Sequence, residues 1–385
     1  MNTDVPNVSV SMPRTQKPPR LREARFEDYP QIASLASRFQ LHMESFSAWQ
    51  HLWTNNPAYR EIQDKIPIGW VLEDSQGSIA GYLGNIPLSY ELQGKRLLAA
   101  TTRAWVVDSP YRPYSLLLLG TYFQQSNVDL FLSTTVNSQS AAAYCTFDGI
   151  PVPTGAWDRT LFWISDYQGF AESFLRRKGS GRAKALSYPI SLGAFLRDRF
   201  KKRRFQRDGH RVPVLACSGF DQRFELFWTA LRKRKPNVLL AVRNQQTLDW
   251  HFKFALEQGL AWIYTVEDQS GLLAYAVFLR HDFPPIGLRR TRLVDFQSLD
   301  QERAPDFLMA MLEAALMRCR QQSIHMLELA GPTPALERTL ERAAPHHRQL
   351  SSWLFYYKAR TPALEDRLKD PALWEPSLFD GDSSL

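Results

Sequence analysis

The same order of strand and helix patterns occurs twice along this chain, and the repetition limits the folds open to it. From position 21 to about 164, the spacing of apolar residues predicts the order β-αα-β-β-β-α-β-α-β. From position 238 to 360 a similar order follows, with a helix, a hairpin, a strand, a long amphipathic helix, a strand, a helix and a strand. Because the two stretches share a pattern but no short-period repeat, we expect two related α/β halves and not a solenoid.

The chain length supports this division, since 385 residues are enough for two domains of about 100–200 residues each. We predict a disordered lead at 1–20, a first domain at 21–164, a helical connector at 165–235, a second domain at 236–360 and a tail at 361–385. The fold class is therefore α/β, of the α+β type with mixed sheets, in tandem.

The positive charge of the chain is concentrated in the connector. The net charge is +8, but thirteen Lys and Arg against two acidic residues lie between Arg176 and Arg211, so the rest of the chain carries −3. Apolar residues of the connector recur at helical spacing, at Leu192, Phe195, Leu196 and Phe200. This spacing favours an amphipathic helix that docks on the protein and leaves its charged side chains in water. The alternative is a weak contact of 197–211 with a polyanion or a membrane surface.

A turn after the long strand of the first half carries the most informative motif. The stretch Val106 to Leu119 passes from a strand through Arg112-Pro-Tyr-Ser115-Leu-Leu117 into a helix. It resembles the acyl-CoA signature of the GNAT acyltransferase superfamily, although Ser115 and Leu117 stand where that family prefers glycine or alanine. A helix N-terminus with open amides binds anions. The resemblance implies that Val106, Val107, Arg112, Ser115 and Leu117 hold an acyl-CoA donor.

A second stretch of the first half, Asn137 to Gly149, resembles the Asn…Ala…Tyr…Gly-Phe segment of the same family. In that family the tyrosine commonly protonates the leaving thiolate and the asparagine contacts the cofactor. The resemblance assigns these roles to Tyr144 and Asn137. The residues themselves offer the plainer alternative of a half-buried aromatic on an alanine-rich helix. They indicate no general base.

The second half resembles tandem GNAT proteins of bacteria through Arg243 to Phe252 and through the tail near Trp374. The helix after its long strand begins at Glu302 without a glycine loop, so we expect this half to be structural or to shape the acceptor site.

Taken together, the resemblance implies an enzyme that moves an acyl group, such as acetyl, from acyl-CoA to an amine or hydroxyl. The acceptor would be a small molecule, a saccharide or a peptide. Two alternatives stay open. One is a transferase that uses charged tRNA, as in peptidoglycan interpeptide synthesis. The other is a non-catalytic scaffold that binds a partner or a polyanion.

The remaining composition excludes several other classes of protein. Cys145, Cys217 and Cys319 lie far apart and form no CxxC pair, so neither a disulfide framework nor a thiolate zinc site is indicated. A reducing, cytoplasmic location is expected. His346 and His347 are adjacent, which does not suit a metal site on a helix, and we expect no metal. The apolar runs are far shorter than the ~20 residues of a membrane-spanning helix.

Overall fold

The computed structural model describes residues 17–41, 43–62, 66–154, 157–179, 183–200, 212–331, 334–349 and 354–385. Most of the predicted lead, at 1–16, and the basic segment 201–211 therefore lie outside the described residues. The described strands are β1 (Arg20–Glu23), β2 (Gly69–Glu73), β3 (Ile79–Leu92), β4 (Lys95–Val107), β5 (Leu130–Val136), β6 (Ile150–Pro151), β7 (Arg159–Ile164), β8 (Leu215–Cys217), β9 (Leu240–Ala241), β10 (Ala261–Asp268), β11 (Gly271–Arg280), β12 (Arg290–Ser298), β13 (Met326–Ala330), β14 (His346–Gln349) and β15 (Leu354–Ala359).

Helices alternate with these strands and cover the sheets, as expected for an α/β chain. The described α-helices are α1 (Tyr29–Arg38), α2 (Phe46–Thr54), α3 (Pro57–Ile62), α4 (Ser115–Phe123), α5 (Ser138–Thr146), α6 (Tyr167–Arg177), α7 (Ala183–Phe200), α8 (Gln222–Arg234), α9 (Gln245–Glu257), α10 (Ala304–Gln321), α11 (Pro334–Ala343) and α12 (Pro362–Leu368). Within the described ranges, no helix is both long and apolar enough to cross a bilayer.

The strands form two mixed sheets, which confirms the predicted α/β class. The first sheet has the order β1-β2-β3-β4-β5-β15-β6, with β9 paired to β3. The second has the order β14-β7-β13-β12-β11-β10-β8. In each sheet a single parallel pair, β4 with β5 or β12 with β13, sits among antiparallel neighbours. The two halves thus repeat the same arrangement, although the domain boundaries given above remain a prediction.

The two halves exchange their last strands. The sequence pattern assigns β7 to the first half and β15 to the second. In the structure, β7 pairs antiparallel with β13 and β14, whereas β15 pairs antiparallel with β5 and β6. Hydrophobic alternation predicts that a segment is a strand but carries no information on its partner. The exchange ties each sheet to chain from both halves.

The long helix of the second half packs as its apolar spacing predicts. Six residues of α10 that recur at intervals of three or four are buried in the core against the second sheet. They are Leu308, Met311, Leu312, Ala315, Leu316 and Cys319.

The docking predicted for the connector helix is wrong. Leu192, Phe195 and Leu196 on α7 are exposed. The buried side of α7 carries Ser187 and Ser191 instead, since small residues allow close approach to α6. Amphipathic spacing reveals that a helix has two faces but not which one is covered.

The residues after β15 are packed against the protein. Trp374, Leu378 and Phe379 are buried in the core, and Leu239 is bridged to Trp374. The final segment therefore reaches both sheets, and it takes part in the sites described below.

Candidate functional site

The first sheet opens into a fork between β4 and β5. The parallel pairing covers Ala99 to Thr101 against Leu130 to Leu132 and then ends, while β4 continues to Val107 and β5 to Val136. Two strands that run on in the same direction after their pairing ends leave backbone groups available to a ligand. Such a fork is a natural place for an extended molecule to lie.

A bulge in β4 lies directly beside the fork. The pairing with β3 shifts from Arg103↔Gly84 to Val106↔Tyr82, so Ala104 and Trp105 together oppose a single residue. Ala104 takes the left-handed conformation, with φ of 54°. A bulge turns backbone groups out of the ladder and is common next to functional sites. Here it can aim β4 amides toward the fork.

Three hydroxyl groups meet at the fork on the side covered by α4 and α5. The hydroxyl of Tyr144 lies 2.9 Å from Thr102 Oγ1 and 3.0 Å from Ser133 Oγ, and the two smaller hydroxyls are 3.2 Å apart. Burial raises the pKa of Tyr144 to about 12, and its hydrogen bonds with Ser133 and Thr102 only partly offset that rise. The phenol is therefore neutral near pH 7 and acts as a hydrogen-bond donor.

Charged groups occupy the opposite side of the same fork. Arg103 of β4 is ion-paired with Glu44, and its other terminal nitrogen lies 3.4 Å from the backbone oxygen of Asp382. The carboxylate of Asp382 accepts hydrogen bonds from Thr134 at 2.8 Å and from Thr135 at 2.6 Å on β5. The second carboxylate oxygen of Glu44 is buried without a hydrogen-bond partner among the described residues. An unpartnered carboxylate oxygen is a candidate proton acceptor.

The helix opening at Ser115 is less open than the sequence predicts. A 3₁₀ turn at Ser109–Tyr114 runs directly into α4, and the amide of Ser115 donates to the carbonyl of Arg112. Pro110 and Pro113 have no N–H, which further reduces the donors in this turn. The side chains of Arg112 and Leu117 are exposed. Arg112 makes no ion pair with any described residue, so its guanidinium faces solvent at the start of α4.

Asn137 has a local role at the start of α5. Its side-chain oxygen accepts a hydrogen bond from the amide of Ser140 at 2.9 Å, as in a helix cap. The cap fixes the start of the helix that carries Tyr144.

The structure brings some of the predicted donor-binding residues together and separates others. Val107 and Tyr144 lie in one apolar cluster, with Tyr111 and Tyr114 of the turn packed at its edge. Val106 points to the opposite core, as expected for neighbouring positions of a strand.

Sequence reasoning missed Ser133, Glu44 and Asp382. No local signal identifies them, because they reach the fork from distant parts of the chain; Asp382 is 279 positions from Arg103.

The second sheet forks at the corresponding place and holds a cavity. The parallel pairing of β12 with β13 ends at Leu293 and Leu329, while β12 continues to Ser298. A cavity of about 320 Å³ lies beyond this point, between α10, α11 and the final segment. Its wall is mostly apolar and includes Phe296, Leu308, Leu329, Leu336, Leu340 and Leu378. Its polar and charged groups are Lys235, Gln297, Ser298, Gln301, Glu375 and Ser377.

The two forks differ in how the amides before the next helix are bonded. In the second half, the carboxylate of Asp300 accepts hydrogen bonds from the amides of Glu302 and Arg303, both at 3.1 Å. These amides precede α10, so an acidic side chain already occupies the place where an anion would bind. In the first half, Asp108 is ion-paired with Arg38 at 3.0 Å and Arg112 remains exposed.

A buried ionic cluster connects the final segment to the second sheet. Arg243 forms ion pairs with Asp295 at 2.9 Å and with Asp380 at 3.5 Å, and all three side chains are buried. Asp380 also accepts a hydrogen bond from Tyr90 of the first sheet at 3.1 Å. Burial raises the pKa of Asp380, and the charge of Arg243 opposes that rise. The cluster holds the segment that delivers Asp382 to the first fork.

Among the described residues, no group of three or more His, Cys, Asp and Glu side chains is arranged to hold a metal ion.

Comparison with solved structures shows what the fold resembles. N-myristoyltransferase of Saccharomyces cerevisiae with bound myristoyl-CoA matches with a TM-score of 0.56 and 8% identity, over 93% of this chain and 80% of that one. A GCN5-related N-acetyltransferase of Anabaena variabilis matches with a TM-score of 0.50 and 12% identity, over 88% and 72%. A probable N-acyltransferase of Enterococcus faecalis matches with 0.52 and 11%, over 88% and 72%.

At the level of sequence, no protein-family model and no curated protein matches the chain significantly. The likenesses therefore concern the fold alone. They confirm the resemblance recognised from the motifs, and the chain has the GNAT fold.

Proposed function

We propose that this protein is an acyltransferase that binds an acyl-CoA donor at the first fork and transfers its acyl group to an amine or hydroxyl. Fold neighbours that are named as acyltransferases support acyl transfer in general. The observation that supports the choice of site is that Asp300 already accepts hydrogen bonds from the amides of Glu302 and Arg303 before α10, whereas no described carboxylate binds the amides at the start of α4. An exposed arginine, Arg112 or Arg303, lies at the start of the helix in both halves.

The residues of the first fork fit such a donor, with one change from the motif-based expectation. The amide of Ser115 already donates a hydrogen bond to the backbone carbonyl of Arg112. The exposed guanidinium of Arg112 is therefore the better candidate for a phosphate contact. Val107 and the tyrosines of the turn offer an apolar wall beside it. The backbone at the bulge of Ala104 supplies amides near the fork.

The chemistry supplied by an acyl thioester is a reactive carbonyl carbon with a thiolate leaving group. In the proposed reaction the acceptor nitrogen or oxygen attacks that carbon, the carbon–sulfur bond breaks, and the acceptor loses a proton. Amides at the bulge would stabilise charge on the carbonyl oxygen. Glu44 is positioned to accept the acceptor's proton through its unpartnered oxygen.

Tyr144 is proposed to stabilise the leaving sulfur by a hydrogen bond. Its pKa of about 12 is above that of an ordinary thiol, about 8.5. Complete proton transfer to the thiolate is therefore uphill by roughly 5 kcal/mol. Donation of a hydrogen bond needs no such transfer and agrees with a neutral phenol.

The acceptor is proposed to approach from the second half, whose cavity of about 320 Å³ has a mostly apolar wall. An acceptor with an apolar part of that size, on a small molecule, a saccharide or a peptide, matches this lining. The acyl group itself is proposed to be acetyl or a longer chain. Three free cysteines, one of them exposed, agree with a reducing cytoplasm.

Thermal unfolding of the full chain with acetyl-CoA and with myristoyl-CoA tests donor binding. A ligand at 100 times its dissociation constant stabilises the native state by about 2.7 kcal/mol. Arg112→Ala should weaken donor affinity about tenfold or more, by loss of a charge-assisted contact. Arg96→Ala, which removes another exposed arginine from the same sheet, should leave affinity unchanged. Stabilisation by charged tRNA and not by either acyl-CoA would contradict this proposal and support the tRNA-dependent transferase instead.

Tyr144→Phe separates binding from chemistry. The two remaining hydroxyls, on Thr102 and Ser133, can still bond to each other at 3.2 Å, so the fold should be retained. We expect donor affinity to be unchanged and thiol release with an acceptor panel to fall by about tenfold to a hundredfold. Unchanged thiol release would remove Tyr144 from the reaction.

A further inference from the structure

The helix α7 has its apolar side facing outward. Six of its large apolar residues are 39 to 67% exposed: Leu186, Tyr188, Ile190, Leu192, Phe195 and Leu196. We call these six residues the outer face of α7. The side that packs on the protein carries Ala183, Ser187 and Ser191, which are buried. This distribution is the reverse of the usual one, in which large apolar residues are covered and serines face water.

The reversal extends to the neighbouring helix. Phe174 of α6 is 47% exposed, while Ala171 and Ser173 of the same helix are buried. The ring of Phe195 packs edge-on against the ring of Tyr167, with centroids 5.5 Å apart. Because contiguous exposed apolar surface is costly in water, such a surface marks a contact with another phase or molecule.

Basic residues surround this apolar surface. Arg177, Lys178 and Lys184 are exposed at the turn between α6 and α7. The described surface therefore combines exposed large apolar side chains with exposed basic ones.

The described acidic side chains near this surface are ion-paired. Asp198 is paired with Arg197 at 3.3 Å and also lies 2.7 Å from His346. Glu172 is paired with Arg176 at 2.5 Å. The exposed Arg177, Lys178 and Lys184 make no ion pair with a described residue, so their positive charge remains available beside the outer face.

We propose that the outer face of α7 binds the surface of an anionic membrane. A helix that lies in the interface presents large apolar residues to the acyl boundary and basic residues to the lipid phosphates, which is the chemistry found here. Its serine side is fixed to α6, so α7 would lie flat on the bilayer. Tyr188, at 67% the most exposed of the six, belongs to a residue type that is enriched at membrane interfaces. A partner protein would need an acidic, apolar groove of matching length, whereas an anionic bilayer supplies both properties at once.

Co-sedimentation of the full chain with vesicles tests this assignment. We expect binding to vesicles of phosphatidylcholine with phosphatidylglycerol, weaker binding to phosphatidylcholine alone, and loss of the difference at high salt, where charges are screened. The double variant Ile190→Gln/Leu192→Gln should reduce vesicle affinity about tenfold or more, because two large apolar side chains no longer enter the interface. Both positions are exposed, so the fold should be unaffected.

A matched control uses two exposed apolar residues that lie elsewhere. Leu226 on α8 is 66% exposed and Met317 on α10 is 54% exposed. Leu226→Gln/Met317→Gln should bind vesicles as the unchanged protein does. Equal binding to neutral and anionic vesicles, or equal loss in both double variants, would overturn the proposal.

Sedimentation velocity without lipid tests the alternative that a second copy of the chain binds the outer face. A dimer that dissociates in Ile190→Gln/Leu192→Gln would show that a second copy covers the outer face, and the membrane assignment would be wrong. Vesicle binding is measured without an acyl donor, so its outcome is independent of the proposed catalysis.

Discussion

Removing the charge of Arg243 should destabilise the protein far more than removing an exposed arginine. The guanidinium is 1% exposed, and its partners Asp295 and Asp380 are 0% and 6% exposed at their side chains. Arg243→Met leaves two buried carboxylates without a cation. Breaking a buried ion pair by removing one partner costs about 3–5 kcal/mol. We expect at least that loss in the free energy of unfolding, measured by urea denaturation of the full chain.

The control is Arg96→Met, in a pair with Glu61 whose side chains are both about half exposed. Exposed pairs contribute about 0–1 kcal/mol, so this variant should unfold almost as the unchanged protein does. Adding Asp380→Asn to Arg243→Met should recover part of the loss, because one uncompensated carboxylate is removed. If Arg243→Met costs no more than Arg96→Met, the cluster does not hold the final segment as described.

Further predictions concern close packing and pH. Gly169→Ala would place a Cβ 2.4 Å from Nε2 of His325 and should lower the free energy of unfolding by about 1–3 kcal/mol. Gly193→Ala, whose Cβ would meet nothing within 4 Å outside its own helix, should be neutral or stabilising. Thermal unfolding compares the two variants, and equal effects would contradict the packing. Gly381 has a φ of +75°, and a Cβ added there would lie 2.6 Å from the side chain of Thr134. Gly381→Ala should therefore loosen the final segment and speed its cleavage by a protease, and an unchanged cleavage rate would contradict this. Burial lowers the pKa of His251 to about 3, so the unfolded state binds the extra proton below pH 6.5. Stability from this group should be complete above pH 6.5 and fall by roughly 1.4 kcal/mol per pH unit toward pH 3, a dependence that His251→Gln should flatten; an unaltered slope in that variant would be the contrary result.

The secondary structure was largely predictable because local spacing determines it. The sequence predicts a helix at 305–321 and a strand at 289–296, and the structure has Ala304–Gln321 and Arg290–Ser298. The apolar residues of the helix recur with its period and face one core, whereas Leu293 and Val294 of the strand face different cores on the two sides of the sheet. The fold class followed from the order of these elements.

The pairing of the elements was not predictable in the same way. The exchange of β7 and β15 between sheets depends on which edge is free when the chain returns, and no residue within either strand encodes it. The covered side of α7 was also misjudged, because amphipathic spacing shows that a helix has two faces but not which of them is covered.

Only part of the candidate site was accessible from motifs. Tyr144 and Arg112 follow from a resemblance along the sequence, and they remain predictions as site residues. Ser133 and Glu44 carry no motif, and the tail that resembles tandem GNAT proteins contains Asp382 but gives it no role. These residues become neighbours only when β4, β5 and the final segment meet. Recognising such an arrangement requires a three-dimensional structure.

Hydrogen–deuterium exchange of the full chain with and without acyl-CoA tests the central claim most directly, because it locates the donor at one fork or the other. The account predicts slower exchange in the peptides that contain 102–107 and 130–136, on β4 and β5. Slower exchange at 293–298 and 326–330, with no change in the first sheet, would contradict it and place the donor in the second half.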